Sequence, residues 1–132
     1  MIRVAIMALA ALLVLAFLYL TLVLNWTYSE GERSGTILKF SKKGWLCKTW
    51  EGELAMSMVA GGAVPGDNAG ISTNVWYFTV RDDQVAQQVS QANATSAANG
   101  RKVVVYYREH RGIPTSCFGD TPYFVDSVRV EK

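Results

Sequence analysis

Histidine, cysteine and proline are scarce in this chain of 132 residues, with one, two and three copies. One histidine and two distant cysteines cannot supply the three or four ligands of a protein metal site. No G-x-G-x-x-G occurs, and the run GGAVPG at 61–66 lacks the Lys-Ser/Thr that a phosphate loop requires. No cofactor and no metal are therefore expected. An excess of one charge sign is missing too: 13 basic and 11 acidic residues leave a net charge of +2, too balanced to demand an acidic partner. With 11 glycines, three prolines and 50% hydrophobic residues, collagen-like, disordered and disulfide-dense classes are excluded. The length allows one domain and excludes a dinucleotide fold with a separate substrate domain.

Catalytic constellations are equally thin. A nucleophile needs a base within hydrogen-bond reach. The only histidine, His110, stands among Arg108, Glu109 and Arg111 and is expected at the exposed end of a strand. Cys117 has no adjacent base, so it is a weak thiolate candidate. Glu51 and Glu53 share one face of a strand at a spacing of about 7 Å, which a glycosidase could use. Two solvated glutamates are the expectation.

What the sequence does contain begins at once. Val4 to Leu24 is a run of 21 residues without a charge, and it is apolar on every face. A bilayer core of about 30 Å needs about 20 such residues. Trp26 and Tyr28 follow where an aromatic belt would lie in the headgroups. The rival reading is a cleaved signal peptide, but the exit Leu22-Val23-Leu24-Asn25-Trp26 has no A-x-A pattern. An uncleaved anchor over residues 1–26 is the expectation. Arg3 favours a cytoplasmic N-terminus, and the flank NWTYSEGE carries acids and no cations. Cys47 and Cys117 suit one disulfide in an oxidising compartment, with two buried thiols as the alternative.

Residues 27–34 read as a juxtamembrane hinge and 35–132 as a small β domain. Gly35–Ser41 reads as a strand, Lys42-Lys43-Gly44 as a turn, and Trp45–Met58 as a second strand in which Gly52 marks a bulge. Val59–Val75 is a long Gly-rich segment, of the kind that is functional or mobile. Val75–Val80 is a third strand. Asp82-Asp83 opens an amphipathic helix with Val85, Val89 and Ala92 on its apolar stripe, stopped by Asn99-Gly100. Lys102–Glu109 and Pro122–Glu131 complete the set. The order β-β-β-α-β-β is that of an OB-like barrel, with an open α+β sheet as the alternative.

The first hairpin interleaves Lys39, Lys42, Lys43 and Lys48 with Trp45 and Trp50. Together with Glu51 these residues form the candidate interaction surface. Such a surface suits a protein partner, anionic headgroups or single-stranded nucleic acid. Nucleic acid is the least favoured of these, because the chain has an anchor and little net charge.

The stretches YSEGERSG (28–35), LKFSKKGWLCKTWEGELAM (38–56), WYFTV (76–80) and GDTPYFVDSV (119–128) resemble an uncharacterised family of small bacterial single-span membrane proteins. Its members are often labelled 6-phosphogluconate dehydrogenase, a label that nothing in these residues supports. The resemblance implies one span plus a small β-rich domain, and it carries no catalytic residues. The expectation is a non-catalytic accessory or binding protein of the bacterial inner membrane, with a periplasmic β domain and a larger membrane partner. The alternatives are a polyanion or anionic-lipid binder, or a small enzyme using Glu51/Glu53 or Cys117.

Overall fold

The computed structural model describes residues 1–58 and 72–132. The segment expected to be functional or mobile, Val59–Val75, lies outside the described residues up to position 71. Helix α1 (Ile2–Asn25) has no buried residue and is long and apolar enough to cross a membrane. Arg3 stands in its first turn, and the backbone N–H of Trp26 closes its last turn on Leu22.

The rest is strands β1 (Ser29–Lys43), β2 (Thr49–Met58) and β3 (Ser72–Val80), helix α2 (Asp83–Asn99), and strands β4 (Val103–Glu109) and β5 (Tyr123–Val130). Element order and type match the expectation. β1 starts earlier, however: residues 29–34, expected as a hinge, pair in register with β4 from Ser29↔Glu109 to Gly35↔Val103. No sequence rule marks this stretch as strand, because its partner lies some 75 residues downstream. The second strand starts at Thr49 and not at Trp45, so Trp45 to Lys48 belong to the β1–β2 turn.

Hydrogen bonding runs in the order β1-β2-β3-β5-β4 and returns from β4 to β1, so the five-stranded sheet closes into a ring. The closing β3–β5 contact is parallel, at Thr79↔Phe124, and every other pairing is antiparallel. Closure leaves few unpaired strand edges. The irregularities lie elsewhere than expected. Gly52 is in register with both Phe40 and Phe78. It makes no bulge; a methyl group there would overlap the Phe78 ring, so the missing side chain is what lets that ring lie across the strand. The register shifts instead at Leu38, between Ile37 and Lys39, and opposite Tyr106–Tyr107. The second shift, at Asp126, turns Val125 to the core face that Val128 and Val130 share, while Phe124 is buried against His110.

Leu54, Phe78, Val80, Val103 and Val105 fill the interior of the ring. Helix α2 is capped at one end by the Asp82 carboxylate, which accepts from the Gln84 N–H at 2.7 Å. At the other end Gly100 takes the left-handed conformation. Its buried face is Ala86, Val89, Ala92 and Ser96, which includes the expected Val89 and Ala92, and the expected Val85 packs half-buried against the same core. Full burial of Val89 alone stabilises by roughly 1.5–3 kcal/mol.

Candidate functional site

Strand alternation places Lys39, Ser41 and Lys43 of β1 on the outer face of the ring. Glu51 and Glu53 of β2 and Tyr77 and Thr79 of β3 lie beside them, because the register aligns Lys39↔Glu53↔Tyr77 and Ser41↔Glu51↔Thr79. With Asp120 and Thr121 from the β4–β5 loop, all of these but Thr79 border a cleft of about 330 Å³.

At its floor Glu51 is only 7% exposed, against the expectation of a solvated carboxylate. Thr49 Oγ1 donates to Oε1 at 2.6 Å, Thr79 Oγ1 donates to Oε2 at 2.7 Å, and the Asp120 N–H donates to Oε1 at 3.2 Å. A buried carboxylate persists only when its oxygens are satisfied in this way. The third donor needs the β4–β5 loop to descend onto β3. Gly119 allows that with a φ of +147°, where any side chain would run into Thr79 and Phe124. The Thr121 N–H then donates to Thr79 Oγ1 at 3.2 Å.

Two further ties fasten the same loop. Cys47 in the β1–β2 turn is joined by a disulfide to Cys117, with Cα atoms 4.8 Å apart. Lys43 Nζ lies 3.0 Å from the Asp120 carboxylate, and that hydrogen bond holds the Lys43 ammonium above the usual lysine range. Gly44, at φ +134°, makes the turn that brings Cys47 back.

The structure divides the candidate surface read from the sequence. Lys39, Lys43 and Glu51 meet in the cleft. Lys42 and Trp50 do not: Trp50 stacks on Phe40 at 5.2 Å, donates to Asp83 at 2.9 Å and carries Lys42 over its ring at 5.4 Å. Trp45 and Lys48 stand in the turn, Trp45 at 98% exposure. Tyr77, Thr79 and Thr121 were missed. Only the spacing of Thr49 and Glu51, two apart on one strand face, offered a signal. Thr79 and Thr121 become partners through the fold alone.

Two groups outside the cleft complete the polar interior. Arg33 lies beneath the Trp76, Tyr107 and Tyr123 rings, its Cζ at 5.0, 5.5 and 5.9 Å from their centroids. His110, expected to be exposed, is 4% exposed and edge-on to Phe124. Its Nδ1–H donates to the Trp26 carbonyl at 3.1 Å, tying the β domain to the exit of α1. Burial pushes the His110 pKa down, and Arg108 and Arg81 add to the effect. Among the described residues, no cluster of three His, Cys, Asp or Glu side chains could hold a metal ion.

Residues 26–128 match a protein family described as a domain of unknown function (DUF8785). The chain belongs to that family. No curated protein matches the chain. The matched segment starts at the residue after α1 and covers the closed sheet up to the last two residues of β5, without the apolar helix.

Proposed function

We propose that this member of the DUF8785 family is a non-catalytic accessory protein of a bacterial inner membrane, tethered by α1. Its β domain sits outside the cytoplasm and engages a larger membrane complex through the cleft face. The ring order, the parallel β3–β5 contact and the helix between β3 and β4 support reading the domain as an OB-type barrel. In barrels of that type the outer face of the second and third strands and the flanking β1–β2 and β4–β5 loops are the binding surface. The observation that carries the reading is the cleft on that face, roofed by a loop stapled through Cys47–Cys117. The disulfide supports an oxidising compartment, and Arg3 before the apolar run supports a cytoplasmic N-terminus.

Two features favour binding over turnover. Both Glu51 oxygens are occupied by intramolecular donors, and Cys117 is bonded and presents no thiolate. A polyanion is a weaker candidate ligand than a protein, because Lys43 is bridged by Asp120 and Lys39 stands in register with Glu53.

Purification of the tagged full chain in several mild detergents tests the reading. One defined membrane protein should copurify with the wild type and be lost from a Lys39→Glu/Tyr77→Ala variant, whose sites are at the surface. Recovery as a lone monomer in every detergent, or retention of the same partner by the variant, overturns it. Oligonucleotide affinity that falls with salt would favour the polyanion alternative.

A further inference from the structure

The β domain meets the end of α1 closely. The Tyr28 N–H donates to the Glu109 carbonyl at 2.8 Å, His110 holds the Trp26 carbonyl, and a methyl on Gly112 would touch Val23. Between the two lies a second cavity of about 560 Å³. Leu24 and Asn25 of α1 form one wall, and Val85 of α2 and Phe124 of β5 supply apolar surface opposite. Arg81 and Arg108 bring the cations.

Arg81 and Arg108 face Asp82 and Asp126 around the cavity, so its formal charges balance, but the groups do not all pair with one another. Arg108 is committed to Asp126 through paired hydrogen bonds of 2.5 and 2.6 Å. Asp82 is committed to the cap of α2. Arg81 has no carboxylate partner among the described residues; its guanidinium lies over the Phe124 ring at 5.4 Å. The cavity therefore presents one uncommitted guanidinium above an apolar lining that continues from the last residues of α1. If α1 spans a bilayer, Leu24 lies where hydrocarbon gives way to headgroups. The exposed Trp26 and the Arg111 guanidinium stacked 3.7 Å from the Tyr28 ring centroid stand at the same level.

We propose that this cavity at the junction of α1 and the β domain holds one membrane glycerophospholipid. Arg81 pairs with its phosphodiester, and Leu24, Val85 and Phe124 cover the glycerol and the first acyl carbons. A phosphodiester carries one negative charge, for the one guanidinium in the cavity that no carboxylate pairs, and the guanidinium fork suits two of its oxygens. The inference rests on the reading of α1 as a membrane span, and it adds a lipid partner distinct from the cleft ligand.

The test uses the full chain, delipidated in detergent, with bound lipid counted by native mass spectrometry. Phosphatidylglycerol should bind one per chain, and Arg81→Gln should weaken that by about tenfold or more, the loss of a charge-assisted pair. Arg81→Lys should recover part of the affinity. Diacylglycerol lacks the phosphate and deacylated glycerophosphoglycerol lacks the chains; both should bind more weakly than the lipid. Because Arg81 is exposed, the variants should keep the wild-type thermal midpoint. Equal binding by Arg81→Gln, or by diacylglycerol, overturns the phosphate assignment. Equal binding by the deacylated headgroup makes this a free-anion site and overturns the lipid. Alkaline extraction of native membranes separates the two readings. An embedded chain that binds no lipid overturns this inference alone, whereas release of a processed chain without α1 overturns both.

Discussion

Glu51 and Arg33 are charged side chains withdrawn from water on opposite faces of the same closed sheet, and they are held by unlike means. The carboxylate sits under a loop, with two hydroxyls and a backbone N–H converging on its oxygens. The guanidinium lies inside, under three aromatic rings, and its one hydrogen bond among the described residues runs to the Met56 thioether at 3.6 Å. A carboxylate concentrates its charge on two strongly hydrated oxygens, so burial demands hydrogen-bond donors. A guanidinium spreads its charge over a plane and is weakly hydrated, so ring faces can replace much of its water. The Glu51 arrangement depends on long-range geometry and on fasteners. The Arg33 arrangement depends only on the ring closing.

The largest expected effect removes the fasteners. Cys47→Ser/Cys117→Ser opens a link across a sequence separation of 70 residues and should cost about 4 kcal/mol of unfolding free energy. Glu51→Ala should follow at about 3 kcal/mol, leaving Thr49, Thr79 and the Asp120 N–H without their acceptor. Denaturant titration checks both. The two changes share one loop, so together they should cost less than their sum. Each should add simply to Arg33→Met, because Met56 lies about 16 Å along β2 from Glu51. Additivity between the cysteine and Glu51 variants would mean that the loop is not held as one unit.

The aromatic side gives a smaller effect and a sharper ranking. Arg33→Met keeps an apolar stem under the rings and should cost about 1 kcal/mol or less. Arg33→Lys keeps the charge but replaces a plane with a compact, strongly hydrated ammonium, so it should be the more damaging by about 1 kcal/mol. Thermal midpoints of the two variants decide it. If lysine proved the better replacement, charge and not ring stacking would be what matters at this position.

How far the sequence discloses these two regions follows from the range of the forces involved. The apolar run, the Asp82 cap, the Gly100 stop and the order of elements are local, and each is readable from neighbouring residues. The candidate surface was half readable, because period-two alternation puts Lys39, Lys43 and Glu51 on one face. Alternation says nothing about what covers that face. The partners of Glu51 include Thr79, 28 residues away, and Asp120, 69 residues away. Gly52 reads as a bulge because glycine in a strand signals either a bulge or a close approach, and only the position of Phe78 decides between them. Residues 29–34 read as a hinge because their strand partner lies far downstream.

His110 sharpens the comparison from a third side, as a buried polar group that avoids carrying charge. Burial against Phe124 opposes its protonation most and Arg108 and Arg81 add to that, while the hydrogen bond to the Trp26 carbonyl and the Asp126 charge work the other way. Its folded pKa lies below its ordinary value near 6.5, so the unfolded chain binds the proton more readily than the folded one. The stability it contributes is therefore complete above about pH 6.5 and is lost as the pH falls through the depressed folded value. His110→Gln should remove that part of the pH dependence and leave stability above pH 7 lower by about 1 kcal/mol for the altered hydrogen bond. Wild type minus variant, followed by urea midpoints from pH 7.5 down to 5, isolates the histidine from the carboxylates that titrate lower. A difference that does not shrink as the pH falls would mean that His110 is protonated in the folded protein, held like Arg33 and not as a neutral donor.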